Sequence, residues 1–230
     1  MRLSCIRGHH IWPAPLKRDS IVIDAGAHRG QFSAEIIHRF GSQCHLVEAN
    51  PTLAAELSVM GARSITKAAL SAEDGSAPLY LSENPESSSL APSPTSPLAR
   101  RTVEVETITL GSLMERLSAR KVDLLKLDVE GAEFGLIETT SQDILRRIDQ
   151  LTVEFHDFQP RFSGAGLFEK ARGRLESIGF ICAIMSFRTH GDVLFLNGTS
   201  LDIPEISRAY LRSMARFIEK AKARMGKTPS

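Results

Sequence analysis

The feature that most constrains the fold is a strand near the N-terminus that ends in a glycine turn and runs straight into a helix. Ile21-Val22-Ile23 is a short apolar run, Asp24-Ala25-Gly26-Ala27-His28-Arg29-Gly30 is a turn, and Phe32, Ile36, Ile37 and Phe40 recur at helical spacing. The pattern repeats. Gly41 stops the helix, Cys44-His45-Leu46-Val47 reads as a second strand, and Pro51, after Glu48-Ala49-Asn50, suits the first turn of the next helix. Arg63 to Ser71 reads as a third strand, closed by the turn pair Asp74-Gly75. Ala77 to Leu81 and Thr102 to Thr107 alternate as antiparallel strands do. Regular order then returns with a strand from Val122 to Val129, a helix from Glu133 to Ser141, a strand from Leu151 to His156, a helix from Leu167 to Ser177, and strands from Phe180 to Phe187 and Gly191 to Leu196. Strands alternating with helices predict an α/β fold: a mostly parallel sheet, helices on both faces, and one antiparallel strand from the closing hairpin.

Composition narrows the class. With 42% apolar and 24% charged residues in 230, a disordered, collagenous or disulfide-framework chain is excluded. We expect one domain over residues 1–230, with an N-terminal arm (1–19), a Pro/Ser-rich insert (84–99) and a basic amphipathic C-terminal helix (203–226). In that helix Arg208, Arg212, Arg216, Lys220 and Arg224 recur every four residues, with Ile206, Tyr210, Met214, Phe217 and Ala221 as the apolar face. The basic face reads as a solvated face of a docked helix, with contact to an anionic substrate, an acidic partner or a membrane surface as the lesser reading. A net charge of +1 recruits no nucleic acid globally. Cys5, Cys44 and Cys182 lack metal-ligand spacing, and no window approaches the roughly 20 apolar residues of a membrane span, which together predict a cytoplasmic protein.

In such sheets ligands bind beyond the carboxyl ends of the strands, where strand order reverses. The strand ends carry Asp24, Gly26 and Gly30, then Glu48, then Lys126, Asp128 and Glu130, then Glu154, His156 and Asp157. The glycine turn and the helix after it suit a nucleotide-like cofactor, and Glu48 lies near the interval at which an acidic residue bonds ribose hydroxyls. Tight-turn glycines and a Glu48 that merely starts a helix are the structural alternative. If its strand stays extended, Lys126, Asp128 and Glu130 share one face, as do Glu154 and His156. An ion pair of Lys126 with a carboxylate is the plain reading there. His156 is the preferred general base, because imidazole titrates near neutrality; Asp128, or carboxylates holding Mg²⁺, are the other routes to an activated hydroxyl. No metal centre is expected from spacing, and His9, His10, His38, His45 and His190 receive no role.

The segments DAGAHRGQFS, HLVEANP, AALSAEDG, SSSL, DLLKLDVEGAE and LTVEFHDF, in order from about residue 21 to residue 158, resemble the FkbM-type family of S-adenosylmethionine-dependent methyltransferases. DVEGAE and EFH are its most specific elements. The resemblance implies a Rossmann-like seven-stranded methyltransferase fold and S-adenosyl-L-methionine as cofactor. Its amino-acid end would lie at Asp24, Gly26 and Gly30, with Ala27, His28 and Gln31 of the same turn. Its ribose would lie at Glu48 and its adenine near Ala68. His28 departs from the asparagine common at that place in the family. The implied activity is O-methylation of a hydroxyl on a sugar, glycan or secondary metabolite; the strand-end reading above makes His156, Asp128, Glu130, Lys126 and Glu154 the candidate catalytic set. A nicotinamide-dependent oxidoreductase or epimerase, and a non-catalytic binding module, are the competing classes. The first is disfavoured by the glycine spacing and the missing Tyr-x-x-x-Lys pair.

Overall fold

The computed structural model describes residues 1–81, 90, 101–159, 162, 166–186 and 189–213. The chain opens with a hairpin, β1 (Ser4–Ile6) and β2 (His9–Ile11), and continues through β3 (Ile21–Ala25), α1 (Gln31–Phe40), β4 (Gln43–Val47), α2 (Pro51–Glu56), β5 (Ser64–Thr66), β6 (Ala69–Leu70) and β7 (Gly75–Leu81). Then follow β8 (Arg101–Ile108), α3 (Leu110–Arg116), β9 (Leu124–Leu127), α4 (Glu133–Thr139), α5 (Gln142–Leu145), β10 (Gln150–Val153), α6 (Leu167–Ser177), β11 (Phe180–Ile184) and β12 (Val193–Asn197).

The apolar runs assemble a seven-stranded sheet in the order β11-β12-β10-β9-β3-β4-β5. The pairings from β10 through β9, β3 and β4 to β5 are parallel, whereas β12 is antiparallel to both its neighbours, β10 and β11. The expectation of a mostly parallel sheet is therefore met only in part, and the sheet is mixed. The closing hairpin does not simply add an edge strand: its second arm slots between β11 and β10. From β3 the chain runs outward to β4 and β5 and then returns to the other side as β9, so order reverses between β3 and β9.

The expected third strand from Arg63 to Ser71 is two strands in two sheets. β5 pairs with β4, while β6 pairs with β8 in a separate sheet of order β6-β8-β7. Composition could not reveal the break, because the partner strand of β6 lies almost forty residues away. The β7–β8 pairing is antiparallel as expected, running from Gly75↔Thr107 to Leu81↔Arg101.

Alternation along the strands separates two cores. Ile23 and Leu125 face a cluster with Leu113, Phe134, Ile137, Phe168 and Leu175 of the helices on one side. Val22 and Leu124 face Phe32 and Ile36 of α1 together with Ile6 and Ile11 of the hairpin. The N-terminal arm is thus core structure, and it is pinned at its end: the Gln150 side-chain amide accepts from Trp12 N at 2.9 Å and donates to Trp12 O at 3.0 Å.

Of the Pro/Ser-rich insert, Leu90 alone is described, packed with Ala69, Leu79 and Val105. Residues 205–213 are helical, but the expected apolar face is turned outward there: Ile206 and Tyr210 are exposed while Ser207 and Leu211 are buried. Arg208 explains the rotation, since its guanidinium caps the Ile203 and Gly198 carbonyls, both at 2.9 Å. Met214, Arg216, Phe217, Lys220, Ala221 and Arg224 lie outside the described residues. Among the described residues no helix is long and apolar enough to cross a membrane.

Candidate active site

A cleft of about 370 Å³ opens at the carboxyl ends of β3, β4 and β9, with β6 and β7 as its far wall. Its position is the order reversal between β3 and β9. Gly26, His28, Glu48, Ala68, Asp128, Glu130 and Glu154, all singled out above, line it, with Asn50, Leu53, Leu70, Leu79 and Leu90 among the other lining residues.

At the β3 end, the glycines take the positive φ and the close approach that the turn requires. Gly26 has φ 75°, and a Cβ there would lie 1.7 Å from the Asp128 carbonyl oxygen. Gly30 has φ 71°, and its Cβ would strike Val59 Cγ2 at 2.3 Å. Neighbouring protein, before any ligand, demands glycine at both places. His28 also has a left-handed backbone, φ 50°, a conformation in which Asn and His are enriched, so its replacement of the asparagine is conformationally conservative. Glu48 is 7% exposed; its Oε2 accepts from His28 N at 2.7 Å and its Oε1 from Asn50 N at 2.8 Å. The carboxylate locks the two turns that flank it.

Asp24 has no exposed surface and lies beneath the cleft. Its Oδ2 accepts from Ser33 Oγ at 2.7 Å, and its Oδ1 lies 3.2 Å from Lys126 Nζ. Ala27 and Gly30 are buried and Gln31 is an exposed residue at the start of α1; with Asp24, these fall outside the cleft wall.

The strand ends at Leu127, so Lys126, Asp128 and Glu130 do not share an extended face; Glu130 has φ 53°. Lys126 is 4% exposed and donates to Gly26 O at 2.8 Å, with Asp128 Oδ2 at 3.4 Å. Burial pulls the ammonium's pKa down, but Asp24 and Asp128 more than offset it, leaving it raised. Lys126 is the structural ion pair of the plain reading. Burial likewise works against the Asp128 carboxylate, and Lys126 overrides it, with His9 and His156 adding to the pull, holding the group well below the usual range.

Glu130 and Glu154 behave oppositely. Burial, reinforced by surrounding carboxylates, pushes Glu130 up to about 7 despite His156 nearby, and raises Glu154 for the same reasons. His156 is 3% exposed, with Nδ1 3.0 Å from Glu133 Oε1 and Nε2 3.5 Å from Glu130 Oε2. Burial opposes its charge, yet the hydrogen bond and charge of Glu133, then Glu130 and Asp128, lift it to about 9. An imidazole with that pKa is protonated at neutral pH.

Two residues escaped the sequence reading. Glu133 has no exposed surface, and its Oε1 accepts from Val129 N at 2.9 Å and Gly131 N at 3.2 Å besides meeting His156. Its presence in DVEGAE was the available signal. His9, 3% exposed, places Nε2 3.8 Å from Asp128 Oδ2 and belongs with Asp128 and Glu154 to one group of side chains whose polar atoms lie within 4.8 Å. Its alternation with buried Ile11 was the signal there. A second such group is Asp128, Glu130 and His156.

Residues 24–193 match the family model described as the methyltransferase FkbM domain. The chain belongs to the FkbM methyltransferase family. FkbM-domain residues thus supply every wall of the cleft, and His9 lies outside the matched range. Among curated proteins, "Probable methyltransferase-like protein 24" of Rattus norvegicus and of Homo sapiens are each 38% identical over 58 residues, 25% of this chain. The match spans 16% of those relatives' length. Among solved structures, the Methanococcus jannaschii fibrillarin pre-rRNA processing protein aligns over 86% of this chain and 71% of its own, with TM-score 0.46 and 15% identity.

Proposed function

We propose that the protein is an S-adenosylmethionine-dependent O-methyltransferase acting on a hydroxyl of a sugar, glycan or secondary metabolite. The observation that carries this reading is the polarity of the cleft. One end has a buried carboxylate, Glu48, beside apolar walls from Leu53, Ala68, Leu70 and Leu79; the other has carboxylates of unequal basicity, Asp128, Glu130 and Glu154. The volume lies within the range of cofactor sites, and the donor set fits a nucleoside: acceptors for ribose hydroxyls at Glu48 and apolar surface for adenine at Ala68.

When bound, S-adenosylmethionine supplies an electrophilic methyl group on a sulfonium. The chain's own residues then have separate tasks. Glu130, with a pKa of about 7, takes the proton of the acceptor hydroxyl; Asp128, kept ionised by Lys126, accepts a hydrogen bond and orients that hydroxyl. His156 moves from base to positioner: as an imidazolium it ties Glu130 to Glu133. Glu154 lines the acceptor side with them.

The active form has Glu130 deprotonated and His156 protonated, so kcat/KM rises with pH through about 7 and falls through about 9. Glu130→Gln removes the lower limb and slows transfer by roughly 10² to 10⁴, while affinity for S-adenosylhomocysteine stays within about twofold. Methyl transfer followed across pH in the two proteins, with calorimetry alongside, checks this. An unchanged lower limb in Glu130→Gln refutes the assignment.

A further inference from the structure

The hairpin that precedes the family domain reaches one of the carboxylates that line the cleft, Asp128. β2 alternates His9 and Ile11 inward with His10 between them, and all its fastenings hold His9 in one place. His10 N donates to Asp192 Oδ1 at 3.0 Å, and its ring Nδ1 is hydrogen-bonded to the same carboxylate. Trp12 is clamped by the Gln150 amide, and Ile11 is fully buried. The His9 ring stands edge-on to Phe32 with centroids 5.7 Å apart, its Nε2 toward Asp128.

From this geometry we infer that His9 is a positioning residue of the methyl-transfer site: its Nε2 edge, 3.8 Å from Asp128 Oδ2, limits the turning of that carboxylate and keeps it presented to the acceptor. Lys126 and His9 both approach the same oxygen, Oδ2, one from the strand beneath and the other from the hairpin. The opposite oxygen is thereby left for the cleft that Asp128 lines. Lys126 alone does not fix the carboxylate, because one ammonium contact leaves it free to turn about its bond to Cβ; a second contact from another element restricts that freedom. His9 Nδ1 is buried with no hydrogen-bond partner among the described residues. Nε2 is the ring nitrogen that faces the carboxylate, and an orphaned Nδ1 is a cost that a purely structural side chain would shed, since Phe fills the same space. The inference rests on the methyl-transfer reading, and its tests separate the two.

The variants are His9→Phe, which keeps ring volume against Phe32 without the donor, and His9→Gln, whose side-chain amide restores a donor near the Nε2 position. Asp192→Asn loosens the hairpin without touching His9. Using isotope-labelled methyl transfer from S-adenosylmethionine into a native extract, we expect His9→Phe to lower the rate at least tenfold, His9→Gln to recover most of it, and Asp192→Asn to fall between. S-adenosylhomocysteine affinity should stay within about twofold throughout. Nitrogen-15 NMR of the wild-type imidazole should find Nε2 protonated and Nδ1 bare, a readout that needs no activity. Bare Nε2, or a folded His9→Phe at the full rate, overturns the inference. So does a divalent-cation requirement that His9→Phe abolishes, which would make His9 and Glu154 ligands instead. A wild-type protein with the Nε2–H tautomer that neither binds S-adenosylhomocysteine nor transfers methyl groups refutes the methyl-transfer reading, and the positioning role with it; normal binding and transfer with bare Nε2 refute His9's role alone.

Discussion

At Glu48 both carboxylate oxygens already accept backbone amides, yet each retains a further lone-pair direction for a ligand hydroxyl. The residue therefore serves twice, shaping the His28 and Asn50 turns and presenting acceptors to the cleft. Glu48→Gln should weaken S-adenosylhomocysteine binding roughly 10- to 100-fold, about 1–3 kcal/mol, because it removes charge-assisted bonds and sets an NH₂ group against a backbone N–H. Calorimetry on the folded variant checks this, and unchanged affinity removes the ribose role. The residue scale also shows what periodicity could and could not reveal. Glu48 and Asp128 were legible because each ends a strand. Glu133 and His9 were not, since one acts through backbone amides and the other through a contact 119 positions away in sequence. The protonated state of His156 was illegible for a related reason: it depends on a buried partner, Glu133, 23 positions away.

Elements came through the sequence where local and long-range preferences agree. Helix α6 occupies the expected Leu167–Ser177, and Gly41 ends α1 in a left-handed conformation as expected. The split of the third strand and the turned face of residues 205–213 went unread because each depends on a distant contact, β8 in one case and the carbonyls that Arg208 caps in the other. The hairpin was read as an arm for the same reason: three-residue strands carry too little pattern to show what they pack against. Its docking rests chiefly on burial of Ile6 and Ile11 beside Val22 and Leu124. Ile11→Ala should cost about 2–5 kcal/mol of unfolding free energy, from lost apolar burial plus the cavity left in a close-packed face. Denaturant unfolding measures it, and a loss below about 1 kcal/mol would mean that the hairpin is only loosely held.

Across the whole molecule, the family match over residues 24–193 places a methyltransferase domain on a mixed seven-stranded sheet, with its cleft where strand order reverses. Two elements outside that sheet frame the cleft: the β6-β8-β7 sheet, within the matched residues, walls the apolar end, and the N-terminal hairpin, before them, reaches the carboxylate end. In our account the first recognises the adenosyl group, and the second steadies the residues that meet the acceptor. The most direct test is transfer of an isotope-labelled methyl group from S-adenosylmethionine to a native extract by the full chain, with mass spectrometry of the labelled product. The account predicts label on oxygen, as a methyl ether, lost in Glu130→Gln. Label found only on nitrogen or carbon, or an equal yield from Glu130→Gln, would contradict it.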